Sequence, residues 1–252
     1  MPSFVLNVPA MRRRFFVDRF DGRRAVLRGD AAHHAGRVLR VTPGQLYELS
    51  DGSAVWLARV ESSTRGAVEF SLVDPIPIEP ERLHTTLLLS IVKFDRFEWA
   101  LEKATELGVS EITALAAARS EKALVAAATK RAHRWEKILL ESAQQSRRLR
   151  APQLHLLVRP VEAFAAFSNV SAIRLFFSES REAVSLRTIL SGLTPSGRVV
   201  LAIGPEGGWT AEERNTALSA QFAEVSLGQN ILRTETAVAA ALAVINFGLA
   251  PT

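Results

Sequence analysis

Short apolar runs broken by turn-forming residues occupy the first third of the chain. The runs have the length and composition of β-strands, and pairs such as Asp21-Gly22 and Asp51-Gly52 separate them. One helical stretch, Ala31–Leu39, interrupts the series. The predicted strands are Arg14–Val17, Ala25–Leu27, Gln45–Leu49, Ala54–Val60 and Ala67–Val73. This pattern predicts a small domain that resembles a β-barrel.

After residue 80 the pattern changes to apolar strands that alternate with helical stretches. Apolar residues from Phe97 to Ala104 recur at helical spacing, and Gly108 follows where a helix C-terminal cap is expected. The predicted strands are Thr85–Val92, Glu111–Leu115, Leu154–Val158, Ile173–Phe177, Val199–Ile203 and Val225–Leu227. Strands that alternate with helices predict an α/β domain with a mostly parallel sheet.

Three more helices follow from the same periodicity. Thr129–Gln145 is predicted as a helix with Trp135 inward, and Thr210 with Glu213 fits a capping box at the start of another. The final helix, Thr236–Leu249, is apolar nearly all round. Because a helix without a polar face must be buried on all sides, we expect it to pack inside the fold or against a second subunit.

The border between the two patterns lies in a proline-rich segment. Three prolines fall between Pro75 and Pro80, where neither a helix nor a central strand can continue. We therefore predict a first domain over 1–74, a linker over 75–80 and a second domain over 81–252.

Composition indicates an ordinary globular protein, with 48% apolar and 23% charged residues among 252. The absence of cysteine excludes disulfides, zinc-thiolate sites and cysteine nucleophiles. The five histidines are scattered, so we expect no metal site. No uncharged apolar run reaches the ~20 residues of a membrane span, and the N-terminal arginines follow the apolar part instead of preceding it. These features predict a cytoplasmic protein with no membrane association.

The net charge of +5 is unevenly distributed. Residues 1–75 carry 11 basic and 8 acidic side chains, residues 76–150 carry 13 and 10, and residues 151–252 carry 7 and 8. The first three-fifths of the chain are therefore suited to a polyanion such as RNA, and the last part to another task.

The loop that follows the predicted strand Val199–Ile203 has the sequence GPEGGWT, residues 204–210. Ligands of parallel sheets bind beyond the carboxyl ends of strands, and glycines there let a ligand approach backbone amides. The spacing matches neither a dinucleotide fingerprint nor a P-loop. A glycine-rich turn without a ligand is the alternative.

Four other segments carry candidate chemistry. Residues 226–237 end a strand at Gly228 and begin a helix beside Arg233 and Glu235. Residues 90–99, 118–122 and 141–150 collect the Lys, Arg, Ser and Gln side chains that contact phosphate and sugar. Each of these segments, taken alone, is also compatible with a solvated surface.

Together the motifs GPEGGWT and LGxxILRTETA, with KxDRxEWxLEKATELG and RWxKIxxESAxQSxR upstream, closely resemble the RsmE family. The resemblance runs from Arg12 to the end of the chain and includes Arg37 to Arg40. Members of this family, within the SPOUT superfamily, methylate N3 of a uridine in 16S ribosomal RNA of the small ribosomal subunit. One departure is Ala118, which stands where the family pattern has proline.

The resemblance implies a SPOUT second domain with a trefoil knot, a PUA-like RNA-binding first domain and a homodimer that binds S-adenosylmethionine. It implies a cofactor site formed by Ile203, Gly204, Pro205, Glu206, Gly207, Gly208, Leu227, Gly228, Ile231, Leu232 and Arg233. For RNA binding we expect Arg12, Arg13, Arg37, Arg40, Lys93, Arg119, Arg134, Gln145 and Arg147.

Uridine N3 is a poor nucleophile until its proton leaves, so catalysis requires a base or a cation that stabilises the uridine anion. The candidates are Glu206, Glu235 and Arg233 at the cofactor loops, with Lys93 and Arg119 nearby in the motifs. We favour Arg233 as that cation and take Glu206 as the second catalytic candidate, while the base stays unassigned. Two alternatives remain open: methylation of another RNA nucleotide by a SPOUT enzyme, and an RNA-binding protein without catalysis.

Overall fold

A computed structural model describes residues 13–79, 81, 83–192 and 197–249. Arg12, predicted to bind RNA, lies outside these residues. Contacts divide the chain into two compact units, Met1–Glu79 with Ala143–Arg150 and Pro80–Ser142 with Ala151–Thr252. The predicted domain borders stay a prediction. They place Ala143–Arg150 in the second domain, whereas the contacts assign this segment to the first unit.

The first unit contains a five-stranded mixed sheet in the order β1-β3-β4-β5-β2. Its strands are β1 (Arg14–Phe16), β2 (Arg24–Arg28), β3 (Leu46–Ser50), β4 (Val55–Ser63) and β5 (Ala67–Pro75). Strands β1 and β3 are parallel and the other pairs antiparallel. All five match the predicted strands within a few residues, although β5 extends to Pro75, the first residue of the predicted linker.

The helical stretch predicted over Ala31–Leu39 is an α-helix, α1 (Gly29–His33), that continues as a π-helix over His34–Val38. Ala32 of α1 and Ala35 of the π-helix are fully buried. The wider turn of a π-helix is rare and concentrates at functional positions. Arg40 follows with a φ of 52°, an unusual conformation for a residue with a side chain.

The second unit is built on seven parallel strands in the order β10-β12-β9-β11-β6-β7-β8. The strands are β6 (His84–Ser90), β7 (Glu111–Leu115), β8 (Gln153–Val158), β9 (Ile173–Phe177), β10 (Val184–Ser185), β11 (Arg198–Ile203) and β12 (Ala223–Ser226). The predicted α/β class and parallel sheet are confirmed. Strand β10 escaped prediction because it has only two residues and both are exposed.

Helices cover the sheet of the second unit. They are α2 (Phe94–Glu106), α3 (Lys122–Ala128), α4 (Ala132–Gln145), α5 (Pro160–Phe167), α6 (Leu186–Ser191), α7 (Ala211–Ser219) and α8 (Thr234–Leu249). A 3₁₀ turn over Thr129–Arg131 begins the helix predicted at Thr129. Buried Trp135 stacks on Phe97 with ring centroids 4.5 Å apart, as the inward prediction requires.

Gly108 ends α2 as predicted. Its φ of 90° belongs to the left-handed region that favours glycine. The N–H of Val109 donates to the carbonyl of Ala104 at 3.0 Å, which closes the last turn before β7. The chain can therefore reverse directly from α2 into the sheet.

Helix α8 presents two different apolar faces. Val238, Leu242 and Ile245 on one face are fully buried, but Phe247 is 92% exposed and Val244 41% exposed. The expected packing inside the fold therefore holds for the first face, and a second subunit stays the predicted cover of the other. Among the described residues, none covers this second apolar face.

Membrane and metal features are not found in the described part of the chain. No helix among the described residues is long and apolar enough to span a bilayer. Among the same residues, no group of three or more His, Asp or Glu side chains is arranged to hold a metal ion.

Candidate functional site

The carboxyl ends of β9, β11 and β12 meet at one edge of the parallel sheet. The loops that follow them enclose a cavity of about 920 Å³, within the range of small-molecule sites. All eleven residues of the predicted cofactor set line it. The cavity thus brings together the two segments that the resemblance assigns to one cofactor site, as the strand-end rule anticipates.

Gly204 is required by its own loop. A Cβ at this position would stand 2.9 Å from the ring of Trp209. That ring packs 4.9 Å from the ring of Phe176, and its Nε1 donates to the carbonyl of Phe177 at 2.9 Å. The indole thus fastens the loop to β9, and the first glycine of GPEGG makes room for it. The sequence alone explains this glycine by the approach of a ligand to the backbone. The structure gives another reason for glycine here, which is the packing of Trp209.

The other glycines of the site serve the loop in two ways. A Cβ at Gly207 would meet the Cβ of Arg119 at 3.2 Å, and Arg119 donates to the Gly207 carbonyl at 3.0 Å. Gly208 and Gly228 have φ values of 67° and 133°, which residues with side chains rarely adopt. Close packing and backbone conformation therefore both select glycine here.

A hydrogen bond ties the two cofactor segments together. Thr234, at the start of α8, donates from Oγ1 to the carbonyl of Gly204 at 3.1 Å. Thr234 is only 5% exposed, so this bond is sheltered from water. The glycine loop and the start of α8 are consequently held together.

The predicted capping box at α7 is confirmed. Thr210 accepts from the Glu213 N–H, and the Glu213 carboxylate accepts from the Thr210 N–H at 2.9 Å. Glu213 also accepts from the N–H of Ala118 at 2.8 Å. A proline at position 118 has no N–H to donate, so the departure noted in the sequence provides this chain with an additional bond between two loops.

Arg96 is a site residue that the predicted set omits. It lies in the first turn of α2, lines the cavity and pairs with Glu206 of the glycine loop. Its Nε is 3.9 Å from Oε1 of Glu235, near the start of α8. The signal for it was present, because Arg96 belongs to the KxDRxEW motif at the end of β6.

The loop after β9 also lines the cavity and was missed. Ser178, Glu179, Ser180 and Arg181 are its lining residues nearest β9. The rule that picked out the loops after β11 and β12 applies equally to this one, since β9 lies between those two strands in the sheet. Its plain sequence, without glycine, gave no separate signal.

Arg214 of α7 lines the cavity and links α7 to β12. Its guanidinium donates to both carboxylate oxygens of Glu224, with the shortest contact 2.6 Å, and to Glu182 at 3.1 Å. The hydrogen bonds and charge of Arg214 hold the pKa of Glu224 below its ordinary value, against the opposing effect of burial.

Arg233 lines the cavity with an exposed side chain. Within the described part of the chain its guanidinium makes no hydrogen bond or ion pair with another residue. Glu206 is 44% exposed in its side chain, whereas Glu235 is 14% exposed and does not line the cavity. The two predicted catalytic side chains therefore face the same space, and Glu235 lies behind it.

The predicted RNA-binding residues are divided between the units. Arg119 lines the cavity, Lys93 precedes α2, and Arg134 donates two hydrogen bonds to Glu98, each 2.7 Å long. The first unit holds the others that are described, namely Arg13, Arg37, Arg40, Gln145 and Arg147. Among the described members of this set, Arg119 alone lines the cavity.

Two family models match successive parts of the chain. Residues 79–246 match the family described as RNA methyltransferase domain, and residues 27–73 match the RNA methyltransferase PUA domain. The predicted PUA-like character of the first domain is thus confirmed.

Related proteins carry a consistent name. The ribosomal RNA small subunit methyltransferase E of Mycobacterium bovis is 33% identical over 92% of this chain and 90% of its own. The Bacillus subtilis protein of the same name is 28% identical over 87% of this chain and 88% of its own.

A solved structure agrees with both. The crystal structure of ribosomal RNA small subunit methyltransferase E from Neisseria gonorrhoeae, bound to S-adenosyl methionine, superposes with a TM-score of 0.83. It is 32% identical and covers 94% of this chain and 97% of its own. The family matches, the identity and the coverage lead to one assignment: the chain belongs to the RsmE family of ribosomal RNA small subunit methyltransferases.

Proposed function

We propose that the protein transfers a methyl group from S-adenosylmethionine to N3 of a uridine in 16S ribosomal RNA. The observation that carries this proposal is the cavity at the carboxyl edge of the sheet, lined by all eleven predicted cofactor residues. The relative of known structure from Neisseria gonorrhoeae is bound to S-adenosyl methionine. Its resemblance to this chain supports the same cofactor here.

The residues of the cavity fit this cofactor. Ile203, Leu227 and Leu232 supply apolar surface for an adenine ring, and Gly208, where a Cβ would meet nothing within 4 Å, keeps the backbone open beside it. Arg119 and Arg233 supply cationic groups that suit a carboxylate or phosphate. Bound there, S-adenosylmethionine supplies a methyl group made electrophilic by a sulfonium.

The task of the protein is mainly positioning. Methyl transfer needs the nucleophile in line with the bond that breaks, and loops held by Trp209 and Thr234 provide a rigid frame for that alignment. Arg233 faces the cavity with its guanidinium unpaired among the described residues and stabilises the negative charge that develops as N3 loses its proton. Glu206 occupies the same wall and is the second catalytic candidate.

The substrate nucleotide must leave its helix or lie in a single strand. N3 is on the Watson–Crick edge of uracil, which a paired base keeps from any active site. Cationic residues of the first unit, among them Arg13, Arg37 and Arg40, bind the RNA backbone and bring the target to the second unit. A cytoplasmic location accords with such a substrate.

We also propose a homodimer and a knotted second unit. The exposed face of α8, with Phe247 and Val244, is the apolar surface that a second copy would cover. The knot is supported by the chain order, because β11 enters the sheet between β9 and β6, and β12 then pairs on the far side of β9.

One experiment tests the function against both alternatives. The protein is incubated with labelled S-adenosylmethionine and small ribosomal subunits that lack the modification, and the labelled nucleoside is identified. N3-methyluridine is the expected product. A ribose-methylated nucleoside would indicate another SPOUT activity, and RNA binding without any incorporation would indicate a non-catalytic protein.

A further inference from the structure

Arg96 is joined to both segments that form the cavity. It projects from the first turn of α2, directly after β6, and β11 is the neighbour of β6 in the sheet. Its guanidinium pairs with Glu206, which follows β11, and lies 3.9 Å from Glu235, which begins α8. Three elements that are distant in sequence therefore converge on one cation.

The charges around Arg96 are unequal. Two carboxylates share one guanidinium, and Oε2 of Glu235 is buried without a hydrogen-bond partner among the described residues. Removal of the guanidinium would leave two negative groups facing each other beside the cavity, one of them largely withdrawn from water. Like charges in such a setting repel more strongly than they do in solvent, so the glycine loop would move away from α8.

This ion pair differs from those of the surface. Arg96 is 23% exposed, and its two partners Glu206 and Glu235 are 44% and 14% exposed. In the pair of Arg159 with Glu162 on α5, the two side chains are 74% and 52% exposed. Exposed pairs of the second kind contribute little because water and salt screen them. The sheltered position of Arg96 is what lets it hold other groups in place.

We propose that Arg96 is the positioning residue of the methyl-transfer site. It holds Glu206 and the loop around it against the start of α8, while Glu235 anchors the guanidinium from behind. Arg96 acts through Glu206 and the loop that carries it. This inference rests on the proposed function, because the loop that it positions is the proposed cofactor loop.

The test compares Arg96→Gln and Arg96→Lys with the wild type in single-turnover methylation of unmodified small subunits at saturating S-adenosylmethionine. Loss of loop alignment predicts a rate lower by about 100-fold for Arg96→Gln. Arg96→Lys should recover part of the rate, because an ammonium pairs with one carboxylate but does not reach two in a fork. Arg159→Gln, which removes an exposed pair, is the matched control and should keep the wild-type rate.

A double variant isolates the mechanism. If Arg96 acts through Glu206, Arg96→Gln should cost less than about 3-fold when Glu206→Gln is already present, since interacting residues are not additive. An equal loss in both backgrounds, or a wild-type rate for Arg96→Gln, would overturn the proposal.

A second measurement does not depend on catalysis. Hydrogen exchange of the backbone amides of residues 204 and 206–210 in the protein without cofactor should be faster in Arg96→Gln than in the wild type or in Arg159→Gln. Unchanged exchange would also overturn the proposal. Failure of the proposed function is distinguishable, because then the wild type itself would not methylate the subunits.

Discussion

Gly204 and Trp209 form a matched pair, and the indole ring occupies the space that any Cβ at Gly204 would need. Glycine is therefore required at position 204 by the packing of Trp209. A substitution at a position required for packing lowers the stability of the protein even when no ligand is bound, whereas a substitution at a position required only for ligand access does not.

We expect Gly204→Ala to lower the free energy of unfolding by about 1–3 kcal/mol, the usual cost of overpacking. Urea unfolding of the second unit measures it. Gly197→Ala is the control, since a Cβ at Gly197 meets nothing within 4 Å and should change stability little. Equal stability of both variants would show that Trp209 moves aside freely.

Arg233 has the opposite character. Its side chain makes no hydrogen bond or ion pair among the described residues, so Arg233→Ala should leave the melting temperature nearly unchanged. If it stabilises the uridine anion, the single-turnover rate should fall by about 100-fold, in the range of a lost oxyanion donor. Measuring both quantities on one preparation separates the roles, and an active Arg233→Ala enzyme would contradict the catalytic assignment.

At the scale of elements, the wall of the cavity depends on how α7 is fastened to the sheet. The capping box begins the helix and Arg214 joins its middle to Glu224 of β12. Because Glu224 is 9% exposed, this pair is sheltered and should contribute to stability. The contribution of this pair to the free energy of unfolding depends on the charge of the Glu224 carboxylate.

The pKa of Glu224 is lowered in the folded protein, chiefly by hydrogen bonds from Arg214. Its stabilising effect is therefore complete above the ordinary value of 4.5 and is lost as the pH falls below it. We expect the melting temperatures of wild type and Glu224→Gln to differ at pH 7 and to converge toward pH 3. Glu162→Gln removes a similar but exposed pair and should show little difference at either pH.

For the whole molecule, the proposed RNA surface and the proposed dimer face have opposite chemistry. Cations are concentrated in the first three-fifths of the sequence, while apolar side chains are exposed on the last helix. RNA affinity should therefore depend on ionic strength, and the extent of dimerisation should depend on protein concentration.

RNA affinity should fall steeply with salt, because cations that neutralise phosphates release counterions. Changing Arg12, Arg13 and Arg40 to Ala should reduce the slope of log affinity against log salt by about one for each of these arginines that neutralises a phosphate. Affinity for S-adenosylmethionine, measured by calorimetry, should not change. A wild-type slope would exclude these arginines from the RNA surface.

Self-association is tested at α8. Sedimentation of the wild type should show a dimer at micromolar concentration, and Phe247→Asp should shift it to the monomer by placing a charge in the covered face. The monomer should be inactive if each site is completed by the second copy. A fully active monomer would contradict the proposed assembly.

Sequence reasoning performed well wherever a local rule decides the structure. Gly108 and the capping box at Thr210 are short-range features, and both were predicted correctly. Arg96 belongs to a motif noted in the sequence, but its pairing with Glu206 and Glu235 depends on which strands become neighbours, as does the place of the loop after β9. No local pattern contains that information. For helix α8, the composition shows an apolar surface but does not decide whether the fold or a second subunit covers the face that carries Phe247.

The course of residues 143–150 affects how the protein can be divided. This segment continues from α4 and belongs by its contacts to the first unit, where the carbonyl of Leu149 accepts a hydrogen bond from Ser50 at 2.6 Å. Arg147 lies 3.7 Å from Glu48 in the same unit. A fragment that stops at Glu79 would lack these partners and leave buried Ser50 and Glu48 without them. Such a fragment should fold poorly when expressed alone, and addition of a peptide spanning 143–150 should stabilise it.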